Sequence, residues 1–331
     1  MAVNNALRRD DDESKKKTTT TTTVLAGGVV ESRGYGTRSK TREDVEREIR
    51  AFLSREGKVG FKSEARAFFT VWTFITRLPG PRWVDHHPGF LMRGMVYFPL
   101  MGSLVGCFVA TWFDFAALGL PLDIAACVST AASMWVTGCF HEDGLADASD
   151  GIGGGWSKTE ILKIMSDTRL GTYGCSCLVL FFITKVSLLA ALGTSRWAVG
   201  DCSGAGPALL VSHTVARWTA PFLIHTNDYI DEGGPKQKYY SFMIRASALV
   251  SSGRLCFATL FAALVVICTN GWDLWALLIG TSVVLFSIAA GSYARYLLGG
   301  VQGDYLGATI CICEIVVSCC LFLPFPHHSL L

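Results

Sequence analysis

Apolar residues fill bilayer-length stretches of this chain from about residue 95 onward, and polar residues dominate its first 60. A helix needs about 20 apolar residues to cross a bilayer. Stretches near that length fall at 95–118, 121–140, 173–193, 206–225, 255–270, 274–294 and 306–325. The fifth is short, and Arg254 limits its start. The pattern predicts an all-α fold, a polytopic integral membrane helical bundle of six to seven transmembrane helices. Residues 1–61 read as a polar N-terminal extension, 62–326 as a membrane-embedded domain and 327–331 as a short tail.

The extension is a different material. Six threonines at 18–23, a Lys15–Lys17 run and the acids Asp10 to Glu13 have the composition of a disordered segment. Charges from Thr41 to Ser54 suggest a short soluble helix. A Thr- and Arg-rich start is a candidate organelle-targeting segment, although its early acids run against that reading.

Composition agrees with the membrane assignment. Only 17% of residues are charged, against about a quarter in soluble domains. A net charge of +2 gives no argument for a nucleic-acid partner. The chain has 12 cysteines, but they form no CxxC pair and several lie in apolar runs, as Cys311, Cys313, Cys319 and Cys320 do. They read as small apolar fillers rather than a disulfide framework or a zinc site.

Threading the chain through these spans sorts its charges. One side receives Arg77, Arg82, Arg93, Lys158, Lys163, Arg169, Lys236, Lys238, Arg245, Arg254 and Arg295. The other receives Arg196 with Asp123, Asp201 and Asp273. The positive side is expected to be cytoplasmic, of inner-membrane type, or an organellar equivalent. The same threading gathers the 141–172, 226–254 and 295–305 loops on the side where nucleotides are found.

The segment His141–Gly155, HEDGLADASDGIGGG, carries the densest chemistry. On a helix, Asp143, Asp147 and Asp150 lie at i, i+4 and i+7 and share one face. Three carboxylates so placed repel each other unless a cation sits among them. Mg²⁺ suits the place, because it accepts carboxylates and leaves positions open for phosphate oxygens. A second group, Met165–Gly174, pairs Asp167 with Arg169, and arginine suits bidentate phosphate contact. A third, Gly299–Thr309, sets Asp304 in a glycine-rich turn before the last span. Inside spans lie Glu314, His213 with Arg217 one turn on, and Lys185. Arg217 and Glu314 read as lining a polar cavity, and Lys185 as snorkelling toward the interface.

These residues resemble the cobalamin synthase family, the adenosylcobinamide-GDP ribazoletransferases. HEDGLADASDG at His141–Gly151 is similar to its signature. FITRLP at Phe74–Pro79, YFPLMG at Tyr97–Gly102, IMSDTRLGTYG at Ile164–Gly174 and GGVQGDYLGA at Gly299–Ala308 resemble further blocks in family order, across residues 65–323. Departures are Glu142 where an apolar residue is common, Thr168 for serine, Gln302 for threonine, and the extension before residue 62.

The resemblance implies a Mg²⁺-dependent transferase acting last in cobalamin (vitamin B12) assembly. A ribose hydroxyl of α-ribazole, or of its 5′-phosphate, attacks the cobinamide-side phosphorus of adenosylcobinamide-GDP, and GMP leaves. Asp143, Asp147 and Asp150 are then expected to hold the metal. Asp167 completes a second site or orients the nucleophile, and His141 or Glu142 accepts the hydroxyl proton. Arg169 and Arg217 hold phosphate oxygens, while Asp304 and Glu314 close the cavity. A CDP-alcohol phosphotransferase also uses spaced aspartates, but Leu145-Ala146-Asp147 after Gly144 fits its pattern poorly. A membrane prenyltransferase would show two similar halves, and no internal repeat is found. A transporter using Arg217 and Glu314 would leave the acid cluster without a purpose.

Overall fold

A computed structural model describes residues 60–84, 87–194, 204–230, 250–270 and 274–322, all within the unit Lys40–Leu331. The polar extension, the helix expected at 41–54, the C-terminal tail, and the loop charges Arg196, Asp201, Lys236, Lys238, Arg245 and Asp273 lie outside the described residues.

The described residues are mostly helical. In chain order they are α1 (Phe61–Ile75), α2 (Pro88–Gly94), α3 (Phe98–Ala117), α4 (Leu122–Thr137), α5 (Phe140–Gly154) and α6 (Lys158–Met165). Then come α7 (Thr172–Gly193), α8 (Ala205–Thr226), α9 (Ser252–Asn270), α10 (Leu274–Leu298) and α11 (Gly303–Phe322). One 3-10 turn, Met95–Tyr97, joins α2 to α3. Among the described residues five runs are long and apolar enough to cross a membrane: Gly89–Ala117, α7, Ser252–Thr269, α10 and α11. The pair α4 and α5, bent by 90°, makes a sixth if it is one span. The chain is a polytopic helical bundle, and the lower of the two expected counts is reached with that bent pair.

The stretch expected to span at 206–225 is indeed a helix, α8, yet it is not apolar enough to stand with the others. Its position explains this. Every residue from Val211 to Pro221 is buried, so protein rather than lipid surrounds it, and a helix enclosed on all sides can carry polar groups that have partners. It packs on α3, α7, α9, α10 and α11. The α3 contact is the most extensive, and Gly102 and Gly106 make it possible. A Cβ on Gly106 would stand 2.9 Å from the Leu209 carbonyl oxygen, and one on Gly102 would collide with that of His213. This is the small-residue spacing that lets two membrane helices touch backbone to backbone. Ser103 and Thr214 hydrogen-bond across the same seam at 2.8 Å.

Helix α11 is also interior, with 72% of its apolar window buried, whereas α9 buries 17% and lies at the periphery. Helix α1, too short to span, is tied to the bundle through Glu64. This carboxylate accepts from Arg93 Nη2 at 2.8 Å, from the Tyr97 hydroxyl at 2.8 Å and from Arg254. Arg254 therefore does not delay α9. It lies in the first turn and also donates to the Arg93 carbonyl at 2.8 Å.

Candidate active site

The site is built around the 90° bend between α4 and α5. Gly138 and Cys139 turn the chain with φ of 67° and 59°. Cys139 is the only non-glycine residue at positive φ among the described residues. Such backbone costs energy and persists where the surroundings enforce it. Here it redirects the chain so that α5 begins at Phe140 and the acid motif starts one residue later.

Helix α5 then has two chemical faces. His141, Glu142, Leu145, Ala148 and Asp150 are buried. Asp143 is exposed and Asp147 half-buried, one turn apart as the spacing predicts. Asp150, expected to join them on a metal, is engaged differently. Its Oδ2 accepts from the Gly171 backbone N–H at 2.7 Å, and its Oδ1 from that of Gly174 at 2.8 Å. It thereby caps the start of α7, satisfying N–H groups that a helix leaves open at its first turn.

Described parts of the loops expected to meet lie together. Gly144 of α5 lies against the Asp304 backbone at the start of α11, and Gly307 lies against the His141 carbonyl. Gln302 Nε2 reaches Met165 Sδ at 3.1 Å, and its Oε1 accepts from the Asp304 N–H at 3.1 Å. The ammonium of Lys158 lies over Gly299. Val301 N–H donates to the Asp228 carbonyl at 2.8 Å, and Ile230 N–H to the Val301 carbonyl at 2.9 Å. Parts of the 141–172, 226–254 and 295–305 segments thus share one end of the bundle. Asp167 and Arg169 pair with each other, Nη2 to Oδ2 at 2.6 Å. Hydrogen bonds from Arg169 pull the Asp167 carboxyl down to about 2. Arg169 remains 85% exposed, so its guanidinium is accessible from solvent.

Arg217 and Glu314, expected to touch substrate, sit in a buried ionic cluster. Glu314 on α11 holds Lys185 of α7 at 2.7 Å through Oε2. Its Oε1 contacts Arg217 Nη1 at 3.1 Å and His213 Nδ1 at 2.9 Å, both from α8. Arg217 Nη1 also stands 2.9 Å from His213 Nδ1, so this ring nitrogen faces both a carboxylate and a guanidinium. Lys185 is 6% exposed and does not snorkel. It lies eight residues from the end of α7, about 12 Å along the axis, farther than a lysine side chain extends. That distance was the signal available in the sequence. His141 and Glu142 border this cluster, within electrostatic reach of Lys185, Arg217 and Glu314. His141 Nε2, Glu142 Oε2, His213 Nε2 and Arg217 Nε are buried without a hydrogen-bond partner.

Among the described residues no group of three or more histidine, cysteine, aspartate or glutamate side chains is arranged to hold a metal ion by itself. This does not conflict with Mg²⁺, which keeps several waters and takes one or two carboxylates plus substrate phosphates. Asp143 and Asp147, accessible on adjacent turns, fit that donor set.

The sequence model of the cobalamin-5-phosphate synthase family matches residues 67–322. An adenosylcobinamide-GDP ribazoletransferase of Shewanella frigidimarina is 35% identical over 268 residues, covering 80% of this chain and 95% of the relative. One of Shewanella oneidensis is 37% identical over 259 residues, covering 76% and 92%. No solved structure matches the chain.

Proposed function

The chain belongs to the cobalamin-5-phosphate synthase family, and we propose on that premise that it joins adenosylcobinamide-GDP to α-ribazole or α-ribazole 5′-phosphate. The product is adenosylcobalamin or its 5′-phosphate, and GMP leaves. One observation carries the reading beyond the family. The signature helix α5 presents Asp143 and Asp147 outward while its opposite face is anchored in the bundle.

Diphosphate cleavage by a hydroxyl needs charge neutralisation and alignment more than covalent help from protein. Asp143 and Asp147 would hold Mg²⁺, which when bound supplies that neutralisation at the diphosphate. Arg169, exposed beside its Asp167 partner, is available for a bidentate phosphate contact. Lys158 adds a second cation where the Gly299 turn and α6 meet. Asp304 borders α5 at Gly144 and closes the site from α11. Asp150 acts through α7, by fixing the Gly171–Gly174 turn that follows Arg169. Glu314 and Arg217 support the site from within the bundle, and His141 is the candidate proton acceptor nearest to Asp143 in the chain. The site faces the cytoplasm or its organellar equivalent, and the polar sequence before α1 has a candidate targeting role.

The test is GMP release from adenosylcobinamide-GDP with α-ribazole and, separately, with α-ribazole 5′-phosphate by the detergent-solubilised protein, with and without Mg²⁺. Metal-dependent GMP with formation of the joined product is expected. GMP without joined product, or no GMP from either acceptor, overturns the reading.

A further inference from the structure

We propose that the start of α1 binds the phosphodiester headgroup of an anionic membrane lipid, held by Lys62, Ser63 and the open first turn of the helix, between Phe61 and Trp83. The site is separate from the reaction proposed above and does not rest on it.

A cavity and an unsatisfied hydroxyl lead to it. Phe61, Lys62, Ser63, Ala65, Arg66 and Trp83 line a space of about 530 Å³, within the size range of ligand sites. Ser63 is 5% exposed, and its Oγ is buried without a hydrogen-bond partner. Such a hydroxyl is costly, and a phosphate oxygen in the cavity would accept from it. Helix α1 has 15 residues, begins after Gly60 and has no side-chain cap. The N–H groups of its first turn and the positive end of its dipole therefore favour an anion at the same place. Lys62 is exposed on the cavity wall. Arg66 lies one turn on, its guanidinium 5.8 Å from the centre of the Phe90 ring. The first-turn acid Glu64 would oppose an anion, but it is taken up by Arg93, Tyr97 and Arg254.

Location selects a lipid over a free anion. Glu64 ties the first turn of α1 to Arg93 and Tyr97, near the beginning of the span Gly89–Ala117, and to Arg254, in the first turn of α9. Both are span ends, so the cavity stands at headgroup level. Phe61 is 90% exposed and Trp83 52%, and Trp83 stands edge-on to Phe69 at 5.5 Å. Exposed aromatic rings beside cations anchor proteins at the membrane–water boundary. This basic end is the one proposed above to face the cytoplasm, whose leaflet carries the anionic lipids. A choline headgroup would bring a second cation against Lys62, and a glycerol headgroup brings none.

The test compares amide exchange of the full chain in nanodiscs of phosphatidylcholine alone and of phosphatidylcholine mixed with phosphatidylglycerol. Phosphatidylglycerol is expected to slow exchange in the first two turns of α1 by about fivefold, the scale of one lysine–lipid contact, with α8 unchanged. Lys62→Glu and Ser63→Ala should each lose most of that slowing. Lys163→Glu, which alters an exposed lysine on α6, should keep it. Each variant is read as the difference between its two discs, so a change in the helix itself cancels. Equal exchange of wild-type α1 in both discs overturns the site. So does full slowing in Lys62→Glu or Ser63→Ala, or its loss in Lys163→Glu, because each means diffuse attraction to the surface. Inorganic phosphate that reproduces the slowing in phosphatidylcholine discs overturns the lipid as occupant.

Discussion

Gly144 on α5 and Asp304 on α11 meet backbone to backbone: a Cβ at Gly144 would stand 2.8 Å from the Asp304 carbonyl oxygen and 3.0 Å from its Cα. Two effects then compete in Gly144→Ala. Helix propensity favours alanine by about 1 kcal/mol. Overpacking against backbone, which cannot rotate away as a side chain does, costs about 1–3 kcal/mol. The clash should win. Thermal unfolding in detergent is expected to show a lower midpoint with reduced GMP release, and a more stable variant would contradict the contact.

Asp143→Asn and Asp147→Asn should each lower turnover by about 10²–10³-fold, the scale of lost electrostatic stabilisation. Asp143 is exposed, so its substitution should leave membrane insertion and the thermal midpoint unchanged. Full activity in Asp147→Asn would remove the metal assignment.

Asp150→Ala behaves differently if its carboxylate is a cap. Two N–H groups, of Gly171 and Gly174, lose their acceptor, at a cost of about 2–3 kcal/mol. The expected result is a loss of stability, with amide exchange in the first turn of α7 rising before exchange elsewhere. Unaltered exchange there, combined with loss of Mg²⁺ dependence, would return Asp150 to the metal.

Glu314→Gln removes the only carboxylate in direct contact with Lys185, Arg217 and His213 among the described residues. Breaking a buried ionic group on one side costs about 3–5 kcal/mol. Poor recovery of folded protein, measured by size-exclusion chromatography in detergent, is expected. Wild-type stability would mean that the cluster is open to water.

Glu64 gives a pH dependence. Burial pushes its carboxyl up, but hydrogen bonds from Arg254, Tyr97 and Arg93 outweigh this and hold it below its ordinary value of 4.5. A folded value below the unfolded one means that the unfolded state binds the proton more readily. The clasp on α1 is therefore at full strength above about pH 4.5 and weakens as pH falls through the lowered folded value. Exchange of α1 amides should rise in that acidic window before exchange in α8 does. Glu64→Gln should show raised α1 exchange already at neutral pH, and equal exchange in variant and wild type would sink the clasp.

Apolar run length and residue spacing alone specify a good part of this protein. A run of about 20 apolar residues can satisfy its own backbone in lipid only as a helix, so most helices fall where hydropathy puts them. The i, i+4 spacing of Asp143 and Asp147 places them on adjacent turns because helical periodicity is local. Partner choice is not local. Asp150 shares that spacing, yet the fold supplies Gly171 and Gly174 as its donors, from residues more than 20 positions away. Lys185 reads as snorkelling until α8 and α11 bring His213, Arg217 and Glu314 beside it. Whether an intramembrane charge faces lipid, solvent or another charge depends on which helices pack together. That is decided by the close approaches at Gly102, Gly106 and Gly144, which exist only in the assembled bundle.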